Sequence, residues 1–273
     1  MARNLLLAGF PLLGWNRSAL SAALTEGIPL AAGLEDAVRS EILLLMLLDS
    51  AAVGDTLERL DASLRAGQLV LDMGSSDPVD SRERANRLAA RGIGWVDAPV
   101  SGGAGGAAAA TLAIMAGGTA EDFERARSVL EALGGNVVHV GGPGAGHTAK
   151  VVNQVIVGIT HEAVAEGIAL AEAAGIDPCL VQRALRGGWA DSKVLQDQGR
   201  RMIDRNFAPG GRVRTLRKDL LMASALADRL RLDLPYTREA LHLVEELIAR
   251  GDGELDMAAI YRLREPSSHS GPS

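Results

Sequence analysis

The chain has 273 residues, of which 47% are hydrophobic and 23% charged, with a formal net charge of −6 at pH 7. This length is sufficient for a large core and two domains, and an acidic chain without basic runs argues against nucleic acid or an anionic membrane as a partner. Cys179 is the only cysteine and no uninterrupted apolar run is long enough to span a bilayer, so we expect no internal disulfide and a cytoplasmic location.

The opening stretch, MARNLLLAGFPLLGWNRSAL, permits two interpretations. Its basic start, apolar run and small residues have the form of a secretory signal peptide, but Asn16 and Arg17 follow the apolar run at once. We favour the alternative, in which the stretch belongs to the fold. MARNLLLAG is then a short helix that ends at Gly9, PLLGWN is a strand, and SALSAALTEG is a helix with Ser18 as its N-cap.

Strand and helix patterns alternate from there to about residue 140. Strands are predicted in EILLLMLL, QLVLDM, GIGWVDAP, ATLAIMAGG and NVVHVG, and helices in SAAVGDTLERLDASLRAG and EDFERARSVLEALGG. This alternation indicates an α/β domain in which a mainly parallel sheet is covered by helices on both faces. GAGGAAAA, at 103–110, predicts a tight loop that exposes its backbone beside a site.

After GGPGAG only helical patterns remain. One long helix is predicted from about His147 to Ala174, and further helices in PCLVQRALRGG, SKVLQDQGRRMID, TLRKDLLMASALADRLR and YTREALHLVEELIARG. The sequence therefore predicts a first domain at 1–142 and an all-α second domain at 143–265, joined by the long helix. The polar segment PSSHSGPS at 266–273 predicts a disordered tail.

DAPVSGG, at 97–103, follows a predicted strand. Ligands of parallel α/β sheets bind at the carboxyl edge of the strands. Ser101 offers a hydroxyl group, and Gly102 and Gly103 allow backbone N–H groups to approach a ligand closely. The segment fits an anionic group such as a substrate carboxylate, although an ordinary glycine turn would look the same.

GPGAGHTAKVVNQ, at 142–154, places a glycine-rich turn before the long helix. Lys150 and Asn153 share one face of that helix, among apolar and small residues. A partly desolvated lysine can transfer protons near neutral pH, and an asparagine can hold the reacting oxygen or orient the amine. A lysine that extends to solvent is the alternative.

Three other features carry less information alone. Lys218 and Asp219 in RKDL are typical of a solvated charge cluster. His147 and His161 on the long helix have no partner pattern for metal or triad chemistry, and we interpret both as structural. We predict no metal site.

Together these segments resemble the β-hydroxyacid dehydrogenase family, from Met1 to about Leu263. The resemblance implies a Rossmann-like first domain, a substrate site in DAPVSGG followed by TLAIMAGG, and Lys150 in GAGHTAKVVNQ as the catalytic lysine. It also implies that Lys218 in LRKDLLMA reaches the cofactor, and that LLDS and DMGSSDP border the nicotinamide ring. The residues implied in those two loops are Leu47, Leu48, Asp49 and Ser75.

Members of the family usually begin with a strand and a G-x-G-x-x-G turn, and MARNLLLAG resembles the helix after that turn. The first strand and its phosphate-binding glycines are therefore missing from this chain, so we expect QLVLDM and EILLLMLL to lose a neighbouring strand. Either the natural start lies upstream or the chain is a weak enzyme; we favour the first, since the later segments are intact.

WNRS follows the predicted second strand. In dinucleotide-binding folds an acidic residue there holds the ribose of NAD, whereas arginine accommodates the 2′-phosphate of NADP. Asn16, Arg17 and Ser18 provide no acid. NADP is therefore the expected cofactor, with NAD possible.

The sequence as a whole predicts an NADP(H)-dependent oxidoreductase that transfers hydride between nicotinamide and a small hydroxyacid or semialdehyde carboxylate. Lys150 would be the general acid and base, with Asn153 beside it and Ser101, Gly102 and Gly103 on the substrate. A homodimer or homotetramer is expected, with its interface in the helical substrate domain. The alternatives are a catalytically weak binding or scaffold relic of the same fold, and an imine reductase.

Overall fold

A computed structural model describes residues 1–265, so the tail predicted at 266–273 lies outside the described residues. The chain divides into two compact units between Lys150 and Val151. The first is α/β and the second is helical, which confirms the predicted combination of a Rossmann-like domain with an all-α domain. The predicted domain boundary at residues 142 and 143 stays a prediction.

Within the described residues, the first unit contains a six-stranded sheet and the helices around it. The strands are β1 (Ile42–Leu45), β2 (Leu69–Asp72), β3 (Gly94–Asp97), β4 (Val100–Ser101), β5 (Leu112–Gly118) and β6 (Gly134–Gly141). The helices are α1 (Ala2–Leu7), α2 (Ala22–Thr25), α3 (Leu34–Ala37), α4 (Ser50–Leu60), α5 (Pro78–Ala89), α6 (Gly103–Ala109), α7 (Ala120–Glu131) and the first residues of α8 (Ala145–Ala173).

The sheet is mixed rather than wholly parallel. Its strand order is β1-β2-β3-β5-β4, and β6 pairs with β5. The β1–β2–β3 and β5–β6 pairs are parallel, whereas β5 runs antiparallel to both β3 and β4. α6 is the short connection between β4 and β5, and β5 runs beside β4 in the opposite direction. Two parallel strands would need a longer crossover connection.

Both faces of the sheet are covered, as predicted. Leu69 and Leu71 of β2 pack with Ile114 and Phe123 in one buried cluster. Val70 and Trp95 point the other way and belong to a second cluster. Since side chains alternate along a strand, the nearly continuous apolar runs of β2 and β3 supply both layers.

The segment before β1 differs from the prediction. PLLGWN forms only an isolated bridge, Gly14 with Leu30, because Pro11 and Pro29 lack the N–H groups that a longer ladder needs. The next helix is α2, with Ser21 rather than Ser18 at its N-cap. α1 ends as predicted, with Gly9 at a φ of 86° after its last turn.

Two further expectations were wrong. GAGGAAAA forms the helix α6 rather than a loop, since its alanines favour helix despite the glycines. The expectation that QLVLDM loses a neighbouring strand is wrong because β2, which this segment forms, has a parallel neighbour on each side. β1 is hydrogen-bonded to β2 alone among the described strands.

The second unit is built from helices around one core. After Val151 it contains the rest of α8, followed by α9 (Pro178–Leu185), a π-helical turn (Val194–Gln198), α10 (Gly199–Ile203), α11 (Val213–Leu230), α12 (Pro235–Ala249) and a 3₁₀ helix (Met257–Leu263). Residues of every long helix enter the core, among them Ile168, Leu216, Leu220, Val244 and Leu247. This confirms the all-α prediction.

α8 is 29 residues long and, among the described helices, is the one that is long and apolar enough to cross a membrane by length and composition alone. The apolar stretches of α8 are interrupted by Lys150, Glu162 and Glu166, so the absence of a long uninterrupted apolar run holds for this helix too. Val164, Ala165 and Ile168 of this helix are buried in the core of the second unit, which is how the core helix of a globular domain also passes that test.

The start of α8 lies very close to β3 and β5. A Cβ atom at Gly117 of β5 would lie 2.5 Å from the backbone nitrogen of Gly146 and 2.9 Å from Oδ1 of Asp97. A Cβ at Gly146 would lie 2.5 Å from the carbonyl oxygen of Met115. Glycine at both positions therefore allows backbone-to-backbone packing where α8 begins.

We expect Gly117→Ala to lower the free energy of unfolding by about 1–3 kcal/mol or more, because the added methyl group must displace backbone. Gly105→Ala is the matched control: a Cβ there meets no atom within 4 Å, so we expect stabilisation of about 0.4–1 kcal/mol. Urea unfolding of both variants measures the difference. Equal stability of the two variants would contradict this packing.

Candidate active site

Lys150 lies near the start of α8, and its side chain is partly buried. Its Nζ donates a hydrogen bond of 2.9 Å to the carbonyl oxygen of Val100 in β4. Ser101 is the next residue of that strand. The structure thus brings the predicted catalytic lysine to the segment predicted to hold the substrate, fifty residues away in sequence.

The backbone around Ser101 is shaped by its strand partner and by two glycines. β4 pairs with β5 so that Ser101 lies opposite Ala113. Gly102 and Gly103 follow with φ angles of 134° and 62°, in the region that favours glycine, and both are exposed. The chain therefore turns sharply into α6 and leaves this backbone accessible.

Asp97, at the end of β3, holds the start of α8 in place. Its buried carboxylate accepts hydrogen bonds from the backbone N–H groups of Gly144, at 2.8 Å, and His147, at 2.9 Å. Burial raises the pKa of this carboxyl group, and the nearby His147 and the backbone N–H groups oppose that shift. Sequence reasoning quoted Asp97 but gave it no role; an acidic residue ending an apolar strand was the available signal.

The two loops predicted to border the nicotinamide ring are held against each other. A Cβ at Gly74 would lie 2.6 Å from the carbonyl oxygen of Leu47, so the loops touch through backbone. The backbone N–H of Asp77 donates to Oγ of Ser50 at 2.7 Å. The loops follow β1 and β2, two parallel neighbours, and so lie at the same edge of the sheet.

The predicted residues of these loops differ in their surroundings. Leu48 is 66% exposed and offers an apolar surface. Asp49 accepts a hydrogen bond from the backbone N–H of Ala52 and caps α4, so its carboxylate has a structural contact. Leu47 and Ser75 are partly buried.

Asn16, Arg17 and Ser18 are all exposed. Nδ2 of Asn16 donates to the carbonyl oxygen of Ser18 at 2.7 Å, a local bond that shapes the turn. The residue before them, Trp15, lies under the guanidinium group of Arg59 at 5.7 Å. An exposed arginine in a polar turn fits a phosphate-bearing ligand.

In the second unit, Asn153 and Lys218 belong to one polar network. Nδ2 of Asn153 donates to Oε1 of Gln154 at 2.8 Å, and Nε2 of Gln154 donates to Oδ2 of Asp219. The ammonium group of Lys218 lies 3.0 Å from Oδ1 of Asp219. Two residues predicted from separate segments are therefore linked through Gln154 and Asp219, to which the sequence analysis gave no functional role.

Asp219 is buried, so its prediction as part of a solvated cluster was wrong. The sequence contained a signal: Asp219 falls on the apolar face of α11, next to Leu220 and three residues after Leu216. α8 and α11 approach closely here, since a Cβ at Gly158 would lie 3.0 Å from Leu220. Gln154 and Asp219 are buried there, whereas Lys218 stays partly exposed.

This chain matches known proteins along both units. Residues 1–141 match the family profile described as the NAD binding domain of 6-phosphogluconate dehydrogenase. Residues 144–264 match the one described as NAD-binding of NADP-dependent 3-hydroxyisobutyrate dehydrogenase.

Curated relatives and solved structures agree with these matches. The chain is 39% identical to 2-hydroxy-3-oxopropionate reductase of Escherichia coli, over 83% of this chain and 78% of the relative. It is 34% identical to 3-hydroxyisobutyrate dehydrogenase of Pseudomonas aeruginosa, over 96% and 93%. The crystal structure of 3-hydroxyisobutyrate dehydrogenase from Salmonella typhimurium superimposes with a TM-score of 0.88 at 29% identity, covering 96% of this chain and 94% of that one.

The fold and these matches define an NAD(P)-dependent dehydrogenase of small hydroxyacids. The chain belongs to the β-hydroxyacid dehydrogenase family, as its sequence motifs predicted.

We expect Asp219→Asn to lower the free energy of unfolding by about 1–3 kcal/mol, because Gln154 and Lys218 lose a charged acceptor in a buried place. Asp228→Asn is the matched control on the same helix, since Asp228 is exposed. Denaturant unfolding of both variants at pH 7 provides the comparison. If the two substitutions cost the same, the network does not stabilise the second unit.

Proposed function

We propose that this protein is an NADP(H)-dependent oxidoreductase that interconverts a small hydroxyacid and the corresponding semialdehyde or keto carboxylate, with Lys150 as general acid and base. The observation that carries the proposal is the bond from Lys150 to the Val100 carbonyl oxygen. It holds a partly buried amine at the strand residue that precedes Ser101 and the exposed glycine turn.

The turn at 101–103 would bind the substrate carboxylate. The hydroxyl of Ser101 and the N–H groups of Gly102 and Gly103 are suitable donors to an anion. The positive φ angles of both glycines give the turn a shape that a side chain would strain. Fixing the carboxylate also fixes which carbon atom is presented for reaction.

Lys150 would move the proton. In the direction of reduction, its ammonium group donates a proton to the carbonyl oxygen of the substrate. In the direction of oxidation, the neutral amine takes the hydroxyl proton. Asn153, on the same helix, would hydrogen-bond the reacting oxygen or the amine, and its bond to Gln154 orients its amide group.

NADP supplies the hydride chemistry when it is bound. The exposed Arg17, with Asn16 and Ser18, would hold the 2′-phosphate, which is why we favour NADP over NAD. The loops with Leu47, Leu48, Asp49 and Ser75 would border the ring, since exposed Leu48 and the backbone contact at Gly74 offer an apolar wall. Lys218 would contact the cofactor, as the family resemblance implies.

The proposal also covers the roles of the two domains, the assembly of the protein and its compartment. The domains are residues 1–142 for the cofactor and 143–265 for the substrate and for assembly as a homodimer or homotetramer. Cys179 is a free, partly buried thiol, in keeping with a reducing compartment such as the cytoplasm. Screening semialdehydes, hydroxyacids and cyclic imines with both cofactors would identify the substrate class.

We expect Lys150→Ala to lower kcat about 10²–10⁴-fold, because the proton donor is lost, while NADPH binds with unchanged Kd. Lys193→Ala is the control, since Lys193 is exposed and outside the site. Steady-state rates and NADPH fluorescence titrations give both numbers. A Lys150→Ala enzyme with more than about half of the normal kcat would refute the role of the lysine.

We expect Arg17→Asp to shift the ratio of kcat/KM for NADP over NAD towards NAD by roughly 10-fold or more, the effect of losing one charge-assisted phosphate contact. The new carboxylate repels the 2′-phosphate and accepts from a ribose hydroxyl. Arg39→Asp makes the same charge change at another exposed arginine of the first unit and should leave the ratio unchanged. An unchanged ratio in Arg17→Asp would make Arg17 a bystander.

A further inference from the structure

His147 is completely buried between two buried carboxylates. Its Nε2 lies 3.7 Å from Oδ2 of Asp72, and its Nδ1 lies 3.8 Å from Oδ2 of Asp97. Neither ring nitrogen makes a hydrogen bond within residues 1–265. The two aspartates end the neighbouring strands β2 and β3 and are direct partners in their register.

The two carboxylates hold two different segments of the chain. Asp72 accepts from the backbone N–H of Gly74 and from Oγ of Ser76, so it shapes the loop after β2. Asp97 accepts from Gly144 and His147 and so holds the start of α8. The imidazole ring of His147 is therefore the group between the loop that borders the cofactor site and the helix that carries Lys150.

The charge of the ring follows from its neighbours. A neutral imidazole has one N–H and one lone pair, so one of its nitrogens would point a lone pair towards a carboxylate. An imidazolium presents an N–H to each carboxylate, at ion-pair rather than hydrogen-bond distance. Two adjacent buried carboxylates repel each other, and either a proton on one of them or a cation between them relieves the repulsion. Both carboxylate oxygens of Asp97 accept backbone N–H groups, which favours its ionised form and therefore the cation. Geometry and charge both favour the imidazolium.

We propose that His147 is a positioning residue which, as an imidazolium between Asp72 and Asp97, holds the loop after β2 and the start of α8 in the arrangement that places the Lys150 amine. The kinetic part of this inference rests on the proposed function of Lys150. The structural part, which is the charge of the His147 ring and its place between the two carboxylates, does not.

The charge of the His147 ring also affects the pH dependence of the reaction. Lys150 lies one helical turn after His147, on the same face of α8. Asp72 of β2 and Asp97 of β3 flank the ring, Lys150 lies on its own helix, and the side-chain stem of Arg82 of α5 lies near Gly144. Removing the positive charge of the ring makes the ammonium form of Lys150 more favourable.

The first experiment measures the charge of the ring without substrate. In the protein with ¹⁵N-labelled histidine, we expect His147 to show the imidazolium signature at pH 7.5. His161 is the internal reference: it is buried on the same helix, and burial lowers its pKa, so we expect a neutral ring. A neutral His147 at pH 7.5 would overturn the proposal whatever Lys150 does.

The second experiment uses His147→Gln, with His161→Gln as the matched control. We expect kcat for reduction to fall at least 10-fold in His147→Gln, the KM for substrate to stay within about 3-fold, and the alkaline limb of the kcat profile to move to higher pH. A structural role alone would lower thermal stability and leave kcat and the pH profile of the folded enzyme unchanged, which would overturn the proposal.

Should His147→Gln not fold, Asp72→Asn keeps the shape of the cluster and removes one carboxylate. We expect this variant to lose the imidazolium signature of His147 at pH 7.5, and a retained signature would overturn the proposal. Failure of the Lys150→Ala prediction would be a separate result, since the histidine signature does not depend on turnover.

Discussion

The site depends on one constraint, which is the position where α8 begins against strands β3 and β5 of the sheet. Two backbone N–H groups at its start, from Gly144 just before the helix and His147 in its first turn, donate to the carboxylate of Asp97 at the end of β3. The glycines of β5 and α8 allow the backbones to touch at the same place. Because Lys150 is only one turn further along, this contact decides where its amine lies. A helix that began elsewhere would not bring Lys150 to Val100.

The constraint is electrostatic as much as steric. A helix N-terminus carries partial positive charge and unsatisfied N–H groups, and a carboxylate satisfies both. Burial makes that carboxylate costly, which is why its pKa is raised. A buried charge needs partners on every side, and the backbone N–H groups and the ring of His147 surround Asp97. Losing one partner would leave the others unsatisfied, so the cluster acts as a unit.

The second unit also contains a buried carboxylate that needs partners, and different residues provide them. Asp219 is buried on α11 and receives Lys218 and Gln154, and Gln154 in turn orients Asn153. In both units a buried aspartate thus arranges the side chains that the family resemblance singled out. The residues that touch substrate or cofactor in our proposal are mostly partly exposed, and those that hold them are buried.

The sequence alone determined the order of the elements, the two fold classes and the segments of the site. Apolar periodicity and glycine spacing are local properties, so β1 to β3, α4, α7 and the long helix could be predicted, as could the turn at 101–103. Local properties failed where pairing was involved. PLLGWN has the composition of a strand but lacks an N–H group at Pro11, as its partner segment does at Pro29, and GAGGAAAA resembles a loop although its alanines form α6.

Tertiary structure decided the polar residues that have no local signature. Asp97 meets Gly144 and His147 across 47 and 50 residues of chain, and Gln154 meets Asp219 across 65. Whether such a residue is solvated or buried depends on what folds against it, and the energy of a carboxylate or an imidazole changes most with that difference. The sequence therefore identified Lys150 by its motif, and only the folded chain identified the groups that hold it.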